Sequence, residues 1–529
     1  PVWREFAPSP RPPDLLEERE TLIVGAGPVG LTIALDLARR GRRVTLVNRL
    51  DFIPSGSKAI CFSKRTLDIW HRLGVGARMV EKGVVWNLGK VFHGAADDPV
   101  YEFDMLPTVE QRMPGFINIQ QYHVEEILIE SLLEYPNVDI LWGHEVVGVS
   151  PAAQGVGVLL RGPPGIHPPQ DSDYRIQTGW LIACDGSRSP IRQMLGLDFE
   201  GRDFEDNFLI ADIKVKDARP AERWFWFDPP FNPGQSALLH KQPDDVWRLD
   251  FQLGPDIDRQ ASMRPENVEP LVRGMLGEDV QFTPEWYSVY TFQRRRMARF
   301  LHGRVIFAGD SAHLVSPFGA RGANGGVADA DNLVWKLDLV LGGEAPESLL
   351  ETYNHEALVT ADENIRHSTR ATDFITPKGV VNRAYRDAVL DLARDHAFAR
   401  PFVNSGRLST AVPYPDSPLN TPDEPGETWA GLPPGSPPLD APLGPRWLLE
   451  RLGGRFAVLA RDWSGGAMPS AEVIDIAHCG PADLVVERYD LQPGSAYLIR
   501  PDQYVAGRWR RPTPELIAKA IARAKGIAV

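Results

Sequence analysis

Two short stretches of this chain carry residues able to do chemistry, and a third raises a question. Gly25-Ala26-Gly27-Pro28-Val29-Gly30 is GxGxxG, set between an apolar run and a helix-forming run. Glycines in that setting allow a tight turn and let backbone N–H groups approach a pyrophosphate, so the segment reads as a dinucleotide site without choosing between NAD and FAD. An acid is expected at the end of the following strand to accept bonds from ribose hydroxyls; Asn48 stands there, and Asn can still bond a hydroxyl. Arg49 follows it and suits a 2′-phosphate. In "WLIACDGSRSPIRQMLG", Asp185-Gly186 ends the apolar run Trp180 to Cys184, ahead of a helix carrying Arg192. The third stretch, "VIFAGDSAHLVSPFGARGANGG" from Val305 to Gly326, ends a strand in Gly309-Asp310, then spends further glycines and Pro317 before a helix resumes.

The elements that must position these residues follow from pattern. "TLIVGAGPVGLTIALDLARRGRRVTLVNR" reads as strand, turn, helix and strand, one βαβ unit, after a flexible arm of about 20 residues. From Phe208 to Phe300, short aromatic and β-branched stretches such as "RWFWFDPP" and "VWRLDFQL" predict a mostly antiparallel sheet. Helical spacing returns from about Gly325 to Phe402, with Val327, Ala330, Val334, Leu337 and Leu341 on one face. Prolines then recur from Pro413 to Pro445, too densely for helix or central strand, and Trp447 to Val529 reads as a small α/β unit.

Composition narrows the function. The 529 residues exceed what one core accommodates, and 43% hydrophobic residues supply two or three. The charge balance of 57 − 70 = −13 argues against a nucleic-acid binder or a protein held on anionic lipid. Cys61, Cys184 and Cys479 stand far apart without CxxC or His-Cys spacing, so neither a disulfide framework nor a metal site is expected. No apolar run has membrane-helix length, and the Pro-rich, charged start lacks the apolar core of a signal peptide; a reducing cytoplasm is the expectation.

Taken in order and spacing, the three stretches resemble the single-component (class A) FAD-dependent aromatic hydroxylases, the family of para-hydroxybenzoate and phenol hydroxylases, over roughly residues 20 to 402. The Pro-rich segment, "SGRLS" at Ser405 to Ser409 and "AYLIRPDQYVAGRW" are similar to the branch with 3-(3-hydroxyphenyl)propionate hydroxylase. The resemblance implies an α/β fold: a Rossmann-like FAD-binding domain with an inserted, mostly antiparallel substrate domain, plus a C-terminal thioredoxin-like domain. Its bounds are an arm at 1–20, FAD-binding parts at 21–207 and 301–412, a substrate sheet at 208–300, a linker at 413–446 and the thioredoxin-like domain at 447–529. With Cys479 alone, that last domain has no dithiol and reads as structural.

The resemblance also implies chemistry and roles. NADH or NADPH reduces the flavin, and O2 then yields a C4a-hydroperoxide that hydroxylates a small phenol; larger polyketide substrates and Baeyer-Villiger chemistry share these motifs. Gly25, Gly27, Pro28 and Gly30 would hold the FAD pyrophosphate, with Asn48 and Arg49 near the ribose. Lys58 would stand beside the phosphates, Gln121 would turn toward the flavin, and Asp185 and Gly186 would serve FAD and the incoming nicotinamide nucleotide. Asp310 would accept from a ribityl hydroxyl, Pro317 would wall the substrate side, and Gly322, Ala323 and Asn324 would begin a helix aimed at the anionic edge of the reduced ring. His313 reads as a turn residue rather than a base. His240 and Tyr290 are candidates for the substrate pocket, and Arg248 for a substrate carboxylate. The acid that phenol hydroxylases place after their "SKA"-type segment is replaced by Ile60. A homodimer is expected from the family alone.

Overall fold

The computed structural model describes residues 2–13, 18–104, 110–163, 173–403 and 409–528; residues 405–408 of "SGRLS" lie outside these. In chain order the elements that matter for the site are Arg19–Val24 (β1), Pro28–Arg39 (α1), Val44–Asn48 (β2), Lys64–Arg72 (α2), Gln121–Leu132 (α3), Val138–Trp142 (β3) and Asp173–Ala183 (β4). They continue with Glu200–Lys214 (β5), Arg223–Phe227 (β6), Ser236–Lys241 (β7), Val246–Gly254 (β8), Pro265–Leu276 (α4), Thr283–Arg296 (β9), Val305–Phe307 (β10), Gly322–Leu341 (α5) and Leu349–Ile375 (α6).

Strands β3, β2, β1, β4 and β10 lie side by side in that order, all parallel. Parallel strands are covered on both faces, which is why β1 and β2 are nearly continuous runs of Val, Leu and Ile. Helix α1 starts with Pro28, whose missing N–H removes nothing at a helix N-terminus, and buries Leu31, Ile33, Leu35 and Leu37. Because the strands are parallel, Val24, Asn48, Ala183 and Phe307 all end at one edge of the sheet. The three sequence stretches follow those ends, so the topology alone brings them together.

A second sheet of eight strands runs His313–Leu314, β9, β5, β8, β7, β6, Leu88–His93 and Tyr101–Asp104. It is larger than the pattern from Phe208 to Phe300 predicts, because two strands from before residue 105 and one after residue 312 extend its edges. One face packs Leu209, Ala211, Ile213, Leu239, Leu249 and Phe251 against Val268 and Val272 of α4. Each buried Leu, Ile, Val or Phe among them contributes about 1.5–3 kcal/mol, and a one-residue slip would turn all of them to the other side. That layer holds the register. The opposite face is mixed: Phe208, Phe225, Phe227 and Leu238 pack with Phe318 and Ile375. Asp212, Arg248, His240 and Arg223 share that face as directly opposed residues on four neighbouring strands.

Two segments differ from their sequence reading. Residues 2–5, expected as part of a free arm, form a strand antiparallel to Phe52–Pro54, and Trp3 stacks on Tyr122 at 4.4 Å. The Pro-rich stretch is packed rather than loose: proline forbids regular structure but not burial, and Tyr414, Ser417, Leu419 and Asn420 are all buried. Beyond it, Glu472–Asp475, Ala457–Ala460, Ala496–Ile499 and Val505–Trp509 form a four-stranded sheet. This part is tied inward by charge. Arg500, fully buried, donates to both carboxylate oxygens of Glu356 on α6 at 2.6 and 2.9 Å, and Lys336 on α5 reaches Glu356 at 2.8 Å. Arg65 on α2 bridges Asp331 of α5 at 2.7 Å and the Asp502 carbonyl at 2.6 Å. No helix among the described residues is long and apolar enough to cross a membrane.

Candidate functional site

At the end of β1, Gly25 turns with φ +108°, a region where side chains are strained, and a Cβ there would collide with the Cys184 carbonyl. A Cβ on Gly30 would collide with the Gly25 carbonyl. These two glycines let β1, α1 and β4 meet backbone to backbone. Gly27 is different: a Cβ there meets nothing within 4 Å, so open space lies in front of the α1 N-terminus, where helical N–H groups have no internal partner. Buried Pro28 opens that helix. An anion fits this cradle. Asn48 uses its amide inside the protein: Oδ1 accepts from Ala26 N–H at 3.0 Å and Nδ2 donates to the Leu50 carbonyl at 2.8 Å. The side chain expected at a ribose hydroxyl thus braces the glycine turn. Arg49 is exposed.

Asp185 Oδ2 accepts from Ile191 N–H at 3.1 Å, while Oδ1 is buried with no hydrogen-bond partner among the described residues. Burial raises its pKa. Gly186 has φ +82° and open space around it.

Asp310 is exposed, yet protein surrounds it closely enough that desolvation raises its pKa against the pull of His313 and Lys58. The turn around it is braced by His313, whose Nε2 lies 2.6 Å from Asp329 Oδ2 on α5, and the same oxygen accepts from Gly309 N–H at 2.9 Å. Desolvation works against the imidazolium, but the charge and hydrogen bond of Asp329 outweigh it and raise the His313 pKa. A Cβ on Gly326 would lie 2.5 Å from Val29, and one on Gly309 2.9 Å from the same side chain, so the start of α5 packs onto the glycine turn nearly 300 residues earlier. The N–H groups of Gly322, Ala323 and Asn324 precede the first helical bond, from Gly325 N–H to the Arg321 carbonyl at 2.8 Å. The Asn324 side chain is spent inside: it accepts from Ser63 N–H (2.9 Å) and Thr66 Oγ1 (2.6 Å) and donates to the Cys61 and Ala320 carbonyls (3.0 and 2.5 Å). Exposed Pro317 starts a turn closed by Ala320 N–H at 2.9 Å, and Phe318 anchors that turn on the second sheet.

Between the two sheets runs the segment 56–60. Arg248 pins it by donating to the Ser57 carbonyl at 2.6 Å, and Asp212 grips the same guanidinium at 2.8 and 2.7 Å. Arg248, expected to meet a substrate carboxylate, is therefore paired within the protein. Gln121 frames the same segment: its N–H donates to Ser57 Oγ (2.9 Å), Oε1 accepts from Ala59 N–H (3.2 Å) and Nε2 donates to Glu125 (2.8 Å). Burial pushes Glu125 up to about 7, against Gln121 and Lys58. Lys58 is exposed and near enough to Asp310 and Glu125 to act on both. Ile60 is buried and apolar, and supplies no acid.

On the second sheet, His240 is buried with Nε2 3.4 Å from Asp250 Oδ2, and its Nδ1 has no hydrogen-bond partner among the described residues. Burial lowers its pKa, with Arg223 and Arg248 in the same direction, so the ring is neutral. Tyr290 is half-buried, opposite Phe208 across adjacent strands and with its ring 6.3 Å from that of Trp286, and burial raises its phenol pKa. Sequence reasoning missed Glu125 and Arg223. The signal for Arg223 is visible in "RWFWF": alternation puts a cation on the same face as Phe225 and Phe227.

The family described as FAD binding domain matches residues 18–368. The chain belongs to this FAD-binding family. Among its relatives, 6-methylpretetramide 4-monooxygenase of Streptomyces rimosus is 30% identical over 93% of this chain and 91% of its own length. The 3-(3-hydroxy-phenyl)propionate/3-hydroxycinnamic acid hydroxylase of Comamonas testosteroni is 29% identical over 71% of this chain, which spans only 62% of that relative. In fold, the FAD-family chain is similar to the flavin-dependent monooxygenase PieE, solved with FAD and substrate: TM-score 0.80 over 97% of this chain and 100% of the other, at 23% identity. The protein is a class A FAD-dependent aromatic-ring monooxygenase.

Proposed function

We propose that this monooxygenase hydroxylates a small phenol with O2, taking its electrons from NADH or NADPH. One observation carries the reading: the open cradle at Gly27, the turn bearing Asp310 and the N-terminal N–H groups of α5 lie together, through Val29, at the carboxyl edge of the parallel sheet. Bound FAD supplies hydride acceptance and oxygen activation. The chain supplies position and charge. The N–H groups at the α1 N-terminus beyond Gly27, on the turn that Gly25 and Gly30 make tight and with Lys58 nearby, hold a pyrophosphate; Asp310 accepts from a ribityl hydroxyl; and Asp185 and Gly186 serve the cofactor and the nicotinamide nucleotide. The α5 N-terminus, at Gly322, Ala323 and Asn324, favours negative charge on the reduced ring through its N–H groups and dipole. Asn48 and Gln121 act from behind, as braces of the glycine turn and of segment 57–59.

Pro317 forms a wall on the substrate side, and neutral His240 and Tyr290 are the polar groups offered to a phenol hydroxyl, whose ionisation activates the ring carbons ortho and para to it. The C-terminal sheet is read as a thioredoxin-like unit with a structural role. A homodimer belongs to the same reading, and Val381, Tyr385 and Leu392, 81, 57 and 44% exposed on one helix, offer it an apolar surface. So does a reducing cytoplasm, with Cys61, Cys184 and Cys479 all free. A fused-ring phenolic substrate is the second reading, supported by the near whole-length match to 6-methylpretetramide 4-monooxygenase.

The test is a panel of substituted phenols, from single rings to fused rings, scored for faster NAD(P)H oxidation with hydrogen peroxide measured alongside. Hydroxylated product by mass supports the reading. Stimulation matched entirely by peroxide across the whole panel refutes it.

A further inference from the structure

Every buried arginine on the cofactor-facing side of the second sheet has to answer for its charge. Arg248 does so with Asp212 at 2.7 Å. Arg223 does not: it is 7% exposed, and no hydrogen bond or ion pair to its guanidinium is found among the described residues. Its charge is felt by Cys61 and Asp250, but Asp250 already faces His240 at 3.4 Å. Burial lowers the Arg223 pKa, yet a guanidinium stays charged, so the cation is enclosed near Asp250 with no anion hydrogen-bonded to it among the described residues.

Its surroundings suit a flat ring bearing an anion. Arg223 lies directly opposite His240 across adjacent strands. Cys61, Trp86 and Phe116 form an apolar cluster with Ala221 and Ala320 packed on it, and Ala320 belongs to the turn between Pro317 and α5. The charge therefore stands between the sheet and the turn that leads into the cofactor helix.

We infer that Arg223 anchors a carboxylate of the substrate, making the preferred phenol an aromatic acid. This rests on the hydroxylase reading above for the word substrate, but not for the binding. A planar guanidinium meets a carboxylate through two parallel N–H···O bonds, which fixes the ring's direction as well as holding it. The unpartnered Nδ1 of His240, on the neighbouring strand, is left for a neutral group such as the phenol hydroxyl.

The test compares a hydroxyphenyl alkanoic acid with its primary amide, binding being followed by perturbation of the flavin absorbance of the holoenzyme. Wild type binds the acid about 10- to 100-fold more tightly than the amide, as expected for charge-assisted hydrogen bonds. Arg223→Met loses that preference while keeping its FAD and its affinity for the amide, and Arg223→Lys restores part of it. The substrate-free Arg223→Met protein melts at or above the wild-type temperature, because a buried cation that no carboxylate hydrogen-bonds has been removed. Equal acid-to-amide ratios in wild type and Arg223→Met overturn the inference, as does a lower melting temperature for the variant. Failure of every phenol to yield hydroxylated product counts against the function and leaves this comparison readable.

Discussion

A single methyl group at Gly27 or at Gly30 separates the two jobs of the glycine turn. Gly27 has φ −83° and ψ 177°, which alanine adopts without strain, and no heavy atom lies within 4 Å of the added Cβ. Alanine is a poorer N-cap than glycine, while loss of glycine's freedom in the unfolded chain favours alanine by about 0.4–1 kcal/mol. These oppose each other, so the apo-protein of Gly27→Ala should melt within a few degrees of wild type. The methyl does occupy the cradle. Losing one charge-assisted hydrogen bond to a phosphate amounts to about 1.5–3 kcal/mol, or roughly 10- to 100-fold weaker FAD binding.

At Gly30 the same methyl would stand closer than 3.0 Å to the Gly25 carbonyl oxygen, 3.2 Å from its carbon and 3.3 Å from Cys184 Cβ. Helix propensity gains about 1 kcal/mol, but forcing backbone apart costs about 1–3 kcal/mol or more, so destabilisation wins. Thermal melts of both apo-proteins, with FAD titrations of each, make the comparison. Equal apo-stability loss in the two variants, or FAD binding by Gly27→Ala within about threefold of wild type, would refute the reasoning.

Asp310→Ala should purify with much less FAD while its apo-protein keeps the wild-type melting temperature; full flavin retention removes its assigned role. Glu125 carries a pKa of about 7 in the folded state against 4.5 ordinarily, so the folded protein binds the extra proton and stability falls as pH rises from about 4.5 to 7. Glu125→Gln should therefore gain on wild type as pH rises from about 4.5 to 7, by at most about 3 kcal/mol, and match it near pH 4.5; a gain independent of pH argues against burial as the cause. Glu356→Gln leaves Lys336 and Arg500 buried without their shared anion and should lose about 3–5 kcal/mol in denaturant titrations. A loss below about 1 kcal/mol contradicts the structural role of that cluster.

What could be read before the structure depended on how local its cause was. Gly25, Gly27 and Gly30 were legible because a strand, a turn and a helix within 20 residues explain them, and Asp310 because it ends a strand. Parallel pairing then made the meeting of distant motifs an expectation rather than a surprise. Side-chain commitments were not legible. Arg248 and Asp212 are 36 residues apart and oppose each other only through the register of β5 and β8, and nothing near Arg248 announces that it is taken. Asn48 looked free because its partner, the Ala26 N–H, belongs to the neighbouring strand's turn. The strand Leu88–His93, second from the edge, escaped because its partner, β6, comes more than 120 residues later.

Arg500 gives the last part of the chain a place in the timetable of folding. Until the ribosome has released it, Glu356 and Lys336 have each other, Asn332 and Ser417 but no second cation at the interface of α5 and α6, and Arg65 lacks its acceptor at Asp502. A nascent chain can form the parallel sheet early, but the interior behind α5 closes only once Arg500 and Asp502 have emerged. A copy that stops before Arg500 keeps its glycine turn and leaves Glu356 without its bidentate partner.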